Sequence, residues 1–138
     1  MLILTLLAAT GLTVPDEPLA GRLHAAIWDD LQRNAMIGSG NVLAASWYEA
    51  GQDERPAPRL HIQALDCFET KVGQRCSFTL WREGGARRVP GGLAPDRLSC
   101  RAQFVRSPES EGWSVLHRLP RRAGHSRTDM RCRVVAGA

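Results

Sequence analysis

Two cysteines frame the segment LDCFETKVGQRCSF, Leu65 to Phe78, with eight residues between them and a glycine, Gly73, in the second half. That C-x₈-C spacing is too wide for a zinc knuckle, which takes about two to four intervening residues. It is also too wide for a C-x-x-C redox pair. It suits a β-hairpin. With Thr70 to Gly73 as a four-residue loop, Glu69 opposes Gln74 and Cys67 lies directly opposite Cys76. Directly opposed Cβ atoms are about 4.5–5.5 Å apart, and local twist closes that gap to disulfide range. Gly73 then takes the last loop position, where a positive φ is often required. The same register sets Leu65 opposite Phe78 on one face and Ile62 opposite Trp81 on the other.

Four cysteines allow three pairings. Cys100 and Cys132 both fall on the apolar phase of an alternating segment, so the expected disulfides are Cys67–Cys76 and Cys100–Cys132. In the chain-entropy model these loops contribute about 2.7 and about 3.7 kcal/mol. The histidines, His24, His61, His117 and His125, are scattered with no H-x₃₋₅-H spacing. No metal or cofactor is expected.

The segment PDEPLAGRLHAAIWDDLQRN reads as an amphipathic helix. Asp16 is a suitable N-cap, Pro18 is tolerated at a helix start, and Leu19, Leu23, Ile27 and Leu31 recur on one stripe. Its end is expected near Asn34. Asp29–Asp30 and Asp53–Glu54, adjacent in sequence, are assigned to a helix surface and a turn. NVLAASWYEA carries the β-formers Val42, Trp47 and Tyr48 and is predicted to be a strand. Arg59 to Phe68, Arg75 to Arg82, Arg97 to Arg106 and Trp113 to Leu119 read as further strands, with Met130, Cys132 and Val134 alternating in a last one. In the clearest, Leu98, Cys100, Ala102 and Phe104 face in while Arg97, Ser99, Arg101 and Gln103 face out. EGGARRVPGGLAP and PRRAGHSRT read as loops. The expected fold is α+β: one N-terminal amphipathic helix packed on an antiparallel sheet of about five strands, stapled by two disulfides.

The 138 residues amount to one domain. Residues 1–14 read as a signal peptide and 15–138 as a single α+β domain. The run LILTLLAATGLTV has the length of a signal-peptide core and is shorter than a bilayer span, with cleavage expected near Ala9 to Gly11. The usual basic start is missing, and a buried strand is the rival reading. Oxidised cysteines and an apolar leader together point to a secreted or periplasmic protein; a cytoplasmic one with reduced cysteines is the alternative.

Charge is unevenly divided. Residues 1–70 carry four Arg against nine acids, whereas residues 71–138 carry fourteen Lys and Arg against five. Two basic loops display Arg87 and Arg88, and Arg121, Arg122 and Arg127, a candidate anion-binding rim if they meet at one end of the sheet. Aromatic residues are 6% of the chain and the one clear helix is not basic, which argues against nucleic acid as the partner. No G-x-x-x-x-G-K-[ST], G-x-S-x-G or H-E-x-x-H motif occurs, and GSGNVL lacks the third glycine of a dinucleotide loop. The expectation is a non-enzymatic binding or structural domain whose partner is an anionic polymer, a membrane surface or an acidic protein. The alternatives are an intracellular nucleic-acid-binding or accessory protein, and a small hydrolase without a recognisable motif. The last requires a cleft where a histidine meets a serine or carboxylate.

Overall fold

A computed structural model describes residues 13–52, 60–89, 92–107, 112–119 and 126–135. The expected leader lies almost wholly outside the described residues, as do Arg121 and Arg122. The first helix, α1, is Glu17–Ile37, and the Asp16 side chain caps it by accepting from the Leu19 N–H at 3.2 Å. It runs one turn beyond Asn34. Gly38 closes the helix in the left-handed conformation that a glycine adopts without penalty, with φ 73°. The Asn34 side chain fixes the exit. Its Oδ1 accepts from the Ser39 and Asn41 N–H groups, and its Nδ2 donates to the Asn41 carbonyl at 2.8 Å.

NVLAASWYEA is not a strand. Val42–Ala50 form a second helix, α2, capped by Asn41. The β-formers are outweighed by Leu43, Ala44, Ala45, Glu49 and Ala50, all good helix formers. Ala44, Trp47 and Ala50, three apart, form its buried face. Trp47 is fully buried, donates its ring N–H to the Asp96 carbonyl at 3.2 Å, and stacks on Trp28.

The strands are β1 (Leu60–Thr70), β2 (Gly73–Arg82), β3 (Arg87–Val89), β4 (Gly92–Ala94), β5 (Arg97–Arg106), β6 (Trp113–Val115), β7 (His117–Arg118), β8 (Arg127–Thr128) and β9 (Arg131–Val134). Five make one antiparallel sheet. β2 lies between β1 and β5; the far edge of β5 is shared by β6 and β9. The pairs β3–β4 and β7–β8 are separate two-stranded ladders. The segment read as a Gly/Pro loop around Arg87 is thus a small hairpin. Arg82, buried at its base, donates to the Trp47, Gly85 and Ala94 carbonyls.

One face of the sheet makes the core. Cys67, Cys76, Phe78, Leu80, Leu98, Cys100, Ala102 and Phe104 are buried there, in one cluster with Leu23, Ile27 and Leu31 of α1 and Trp47 of α2. Both expected disulfides are present, each between directly opposed residues of neighbouring strands. No described helix is long and apolar enough to cross a membrane.

The β1–β2 hairpin keeps the expected Cys67–Cys76 register but turns more tightly, since Thr70 also pairs with Gly73 and only Lys71 and Val72 form the turn. Gly73 has φ 153°, and a Cβ there would sit 2.1 Å from the Phe104 carbonyl oxygen on β5. Beyond the disulfide the register departs from expectation. Gln63 pairs with Thr79 and Asp66 with Ser77, so Ala64 and Leu65 together oppose Phe78. At this bulge Ala64 has φ 55°. The extra residue flips the phase of everything before it. Ile62 therefore opposes Leu80 and turns toward the core, while His61 opposes Trp81. Strict alternation would have left Ile62 on the outer face.

Two facing expectations also change, one in each direction. Gln103 is buried, with its N–H donating to Asp129 Oδ2 and its Nε2 to Thr70 Oγ1. Val134, expected inward, is 49% exposed at the end of β9.

Candidate anion-binding face

The outer face of the sheet follows from the inner one. Since Leu98, Cys100 and Ala102 turn to the core, Ser99 and Arg101 turn away from it; since Cys132 reaches Cys100, Arg131 and Arg133 turn away on β9. The Cys100–Cys132 pairing then sets the register: Arg101 stands directly opposite Arg131, and Ser99 opposite Arg133. On the other side of β5, Ser77 opposes Arg101 and Thr79 opposes Ser99.

These residues line a concavity of about 370 Å³. Its side chains include Ser77, Ser99, Arg101, Arg131 and Arg133, and no aspartate or glutamate lines it. All three arginines are exposed. Arg131 is anchored by Nη1, which donates to the Thr128 carbonyl at 2.8 Å and the Met130 carbonyl at 3.2 Å. Among the described residues neither Arg101 nor Arg133 has an ion-pair partner. The acid in the same cross-strand row, Asp66, is two strands away from Arg101. Like charges directly opposed across a ladder destabilise it, so a bound anion would offset a repulsion that the register imposes. Guanidinium forks suit oxyanions, because each offers parallel N–H donors to two oxygens.

The neighbouring row is already paired within itself. His61 stacks on Trp81 at 5.0 Å and lies 2.7 Å from Glu83 Oε2, while the Arg97 guanidinium lies 5.7 Å from the Trp81 ring.

The arginines singled out from the loops fall elsewhere. Arg87 and Arg88 are on β3, and Arg127 is on β8 beside Gly40. The cluster on β5 and β9 is not among the arginines that the two basic loops display. Its signal was present, in the alternation of Arg101, Arg131 and Arg133 with cysteines expected to pair.

A second constellation runs between α1 and the β7–β8 ladder. Asp30, assigned from sequence to a helix surface, is buried. Its Oδ1 lies 2.6 Å from His117 Nε2, and its Oδ2 accepts from Thr128 Oγ1 at 2.7 Å. His117 Nδ1 lies 2.9 Å from Ser126 Oγ. With Asp30 as the carboxylate acceptor, Nε2 is the donor of that contact. The adjoining cavity, lined by Asp30, Arg33, Ser114 and His117 among others, is about 30 Å³. That is room for about one water, too little for a substrate group. Here the chain braces α1 against the β7–β8 ladder.

Burial lowers the pKa of His24 on α1, and it lowers that of Arg82 despite the opposing field of Asp96. No group of three or more His, Cys, Asp or Glu side chains among the described residues could hold a metal ion. The chain matches no protein-family model, no curated protein and no solved structure.

Proposed function

We propose that this chain is an exported, disulfide-stapled binding domain that engages an anionic partner through the outer face of its sheet. The observation that carries the reading is the meeting of Arg101, Arg131 and Arg133 in one concavity without a lining carboxylate. Export is supported by the apolar N-terminal run and by two disulfides, which are compatible with an oxidising compartment. The role is binding and not catalysis. The test is retention of the purified protein on heparin, DNA and lipopolysaccharide over a salt gradient. Salt-sensitive retention that falls in Arg101→Gln and Arg133→Gln supports the reading; no retention on any of the three overturns it. Intact mass from the native host, with and without reduction, tests export. Four alkylatable thiols on an uncleaved chain would favour the intracellular alternative.

A hydrolytic reading has one observation in its favour, the Ser126–His117–Asp30 contacts. The small size of the cavity beside Asp30 and His117, about 30 Å³, ranks it second. Its test is a fluorophosphonate probe: covalent labelling at Ser126, lost in His117→Ala, would establish an activated serine, and an unlabelled chain would remove this reading.

A further inference from the structure

We infer that the concavity over β5 and β9 is a site for one tetrahedral oxyanion group, a phosphate or a sulfate. This rests on the anion-binding reading above and narrows it to a ligand chemistry.

The donors decide the class. Arg131 and Arg133 are two residues apart on one strand, about 7 Å, and Arg101 stands across from the first. Three guanidiniums therefore approach a common volume from two strands. Ser77 and Ser99, half-buried on β2 and β5, add hydroxyls at the floor. A planar carboxylate has two oxygens and one charge, so it occupies one guanidinium fork and leaves the other two cations uncompensated. A phosphate or sulfate presents oxygens along several directions and can accept from more than one fork at once, with hydroxyl donors completing its shell. A phosphate dianion also compensates more of the three positive charges. Arg131 is set in advance, since two backbone carbonyls already hold one of its nitrogens and leave the rest of the fork to turn outward. The concavity, about 370 Å³, exceeds the bare ion and leaves room for the group to which an ester would be attached.

The test uses the oxidised full chain and follows backbone and arginine side-chain resonances during titration with sodium phosphate, sodium sulfate and sodium acetate at matched ionic strength. Saturable shifts at residues 99–101 and 131–133 with phosphate or sulfate, and none with acetate, are the expected result. Arg101→Gln and Arg133→Gln should each weaken the binding about tenfold, the loss of one charge-assisted contact, whereas Arg88→Gln should leave it unchanged. Thermal melts of each variant in phosphate-free buffer report folding separately. Equal shifts with acetate, or undiminished phosphate affinity in both variants, overturn the proposal. Two polymers then separate it from the broader reading. Retention on heparin with none on polyglutamate supports a tetrahedral group carried by a polymer. Equal retention on both leaves anionic binding standing and removes the oxyanion selectivity. Binding of free phosphate or sulfate without heparin retention assigns the site to a small ion and removes the polymer.

Discussion

Arg101 stands directly opposite Arg131 because the preceding residue on one strand, Cys100, is bonded to the following residue on the other, Cys132. A covalent cross-link thus holds two like charges side by side. The staple and the candidate site are two faces of one register, the sulfurs turned to the core and the guanidiniums turned away from it.

Replacing Arg101 by Gln should therefore raise stability while lowering anion binding. Removing one member of a directly opposed like-charged pair is worth about 0.5 kcal/mol at low salt, and the gain should shrink as salt screens the pair. Urea unfolding at low and high ionic strength checks this. An unchanged or lowered midpoint at low salt would show that the two guanidiniums do not oppose each other.

The two disulfides should be separable in function. The Cys100→Ser/Cys132→Ser variant loses about 3.7 kcal/mol and the Cys67→Ser/Cys76→Ser variant about 2.7 kcal/mol in the chain-entropy model. Only the first frees β9, which carries two of the three arginines and only a short ladder to β5. Heparin retention of the two folded variants, measured below their melting temperatures, should fall in the first and hold in the second.

Two backbone positions should respond in opposite senses. Gly73→Ala places a methyl group 2.1 Å from a backbone oxygen of the central strand at φ 153°. It should cost about 3 kcal/mol or more, since the obstacle is main chain and cannot rotate away. Ala64→Gly, at φ 55° in the β1 bulge, should stabilise by up to about 1 kcal/mol. Denaturant midpoints measure both.

Asp30→Ala should destabilise by about 2–3 kcal/mol. It leaves the buried Thr128 hydroxyl and the His117 ring N–H without their acceptor. Hydrogen exchange should show the loss concentrated at the β7–β8 ladder and the facing turns of α1. A loss confined to global unfolding would mean the brace is not local.

Acid should weaken the fold in part through His24. Burial lowers its pKa in the folded chain, so the unfolded chain binds the proton first as pH falls. The sign follows: the contribution is intact above the unfolded value of about 6.5, declines as pH falls below it, and is fully lost below the folded value. His24→Leu should flatten the stability profile relative to wild type in that window. A profile with unchanged slope would place the acid sensitivity elsewhere.

Much of this architecture is legible in local chemistry. Asp16 caps a helix because its short side chain reaches the N–H of Leu19. Leu98 to Phe104 alternate because a strand with one buried face must. Cys67 meets Cys76 because a hairpin of that length brings them together, and each of these outcomes depends on residues close in sequence. Other features were settled by packing between distant parts. Val42 to Ala50 could serve as strand or helix, and the burial of Trp47 beside Trp28 and under the Arg82 hairpin chose the helix. The phase slip from Ile62 to Leu65 is written in the sequence, yet strict alternation hides it, and the apolar demand of the inner face forces the bulge at Ala64. Asp30 looks like a surface carboxylate until His117 and Thr128, nearly ninety residues or more away in the chain, arrive to bind it. Arg101, Arg131 and Arg133 are each an ordinary outward strand residue. Only the long-range pairing of β5 with β9 brings them around one concavity, because the fold and not the local sequence sets a charge's neighbours.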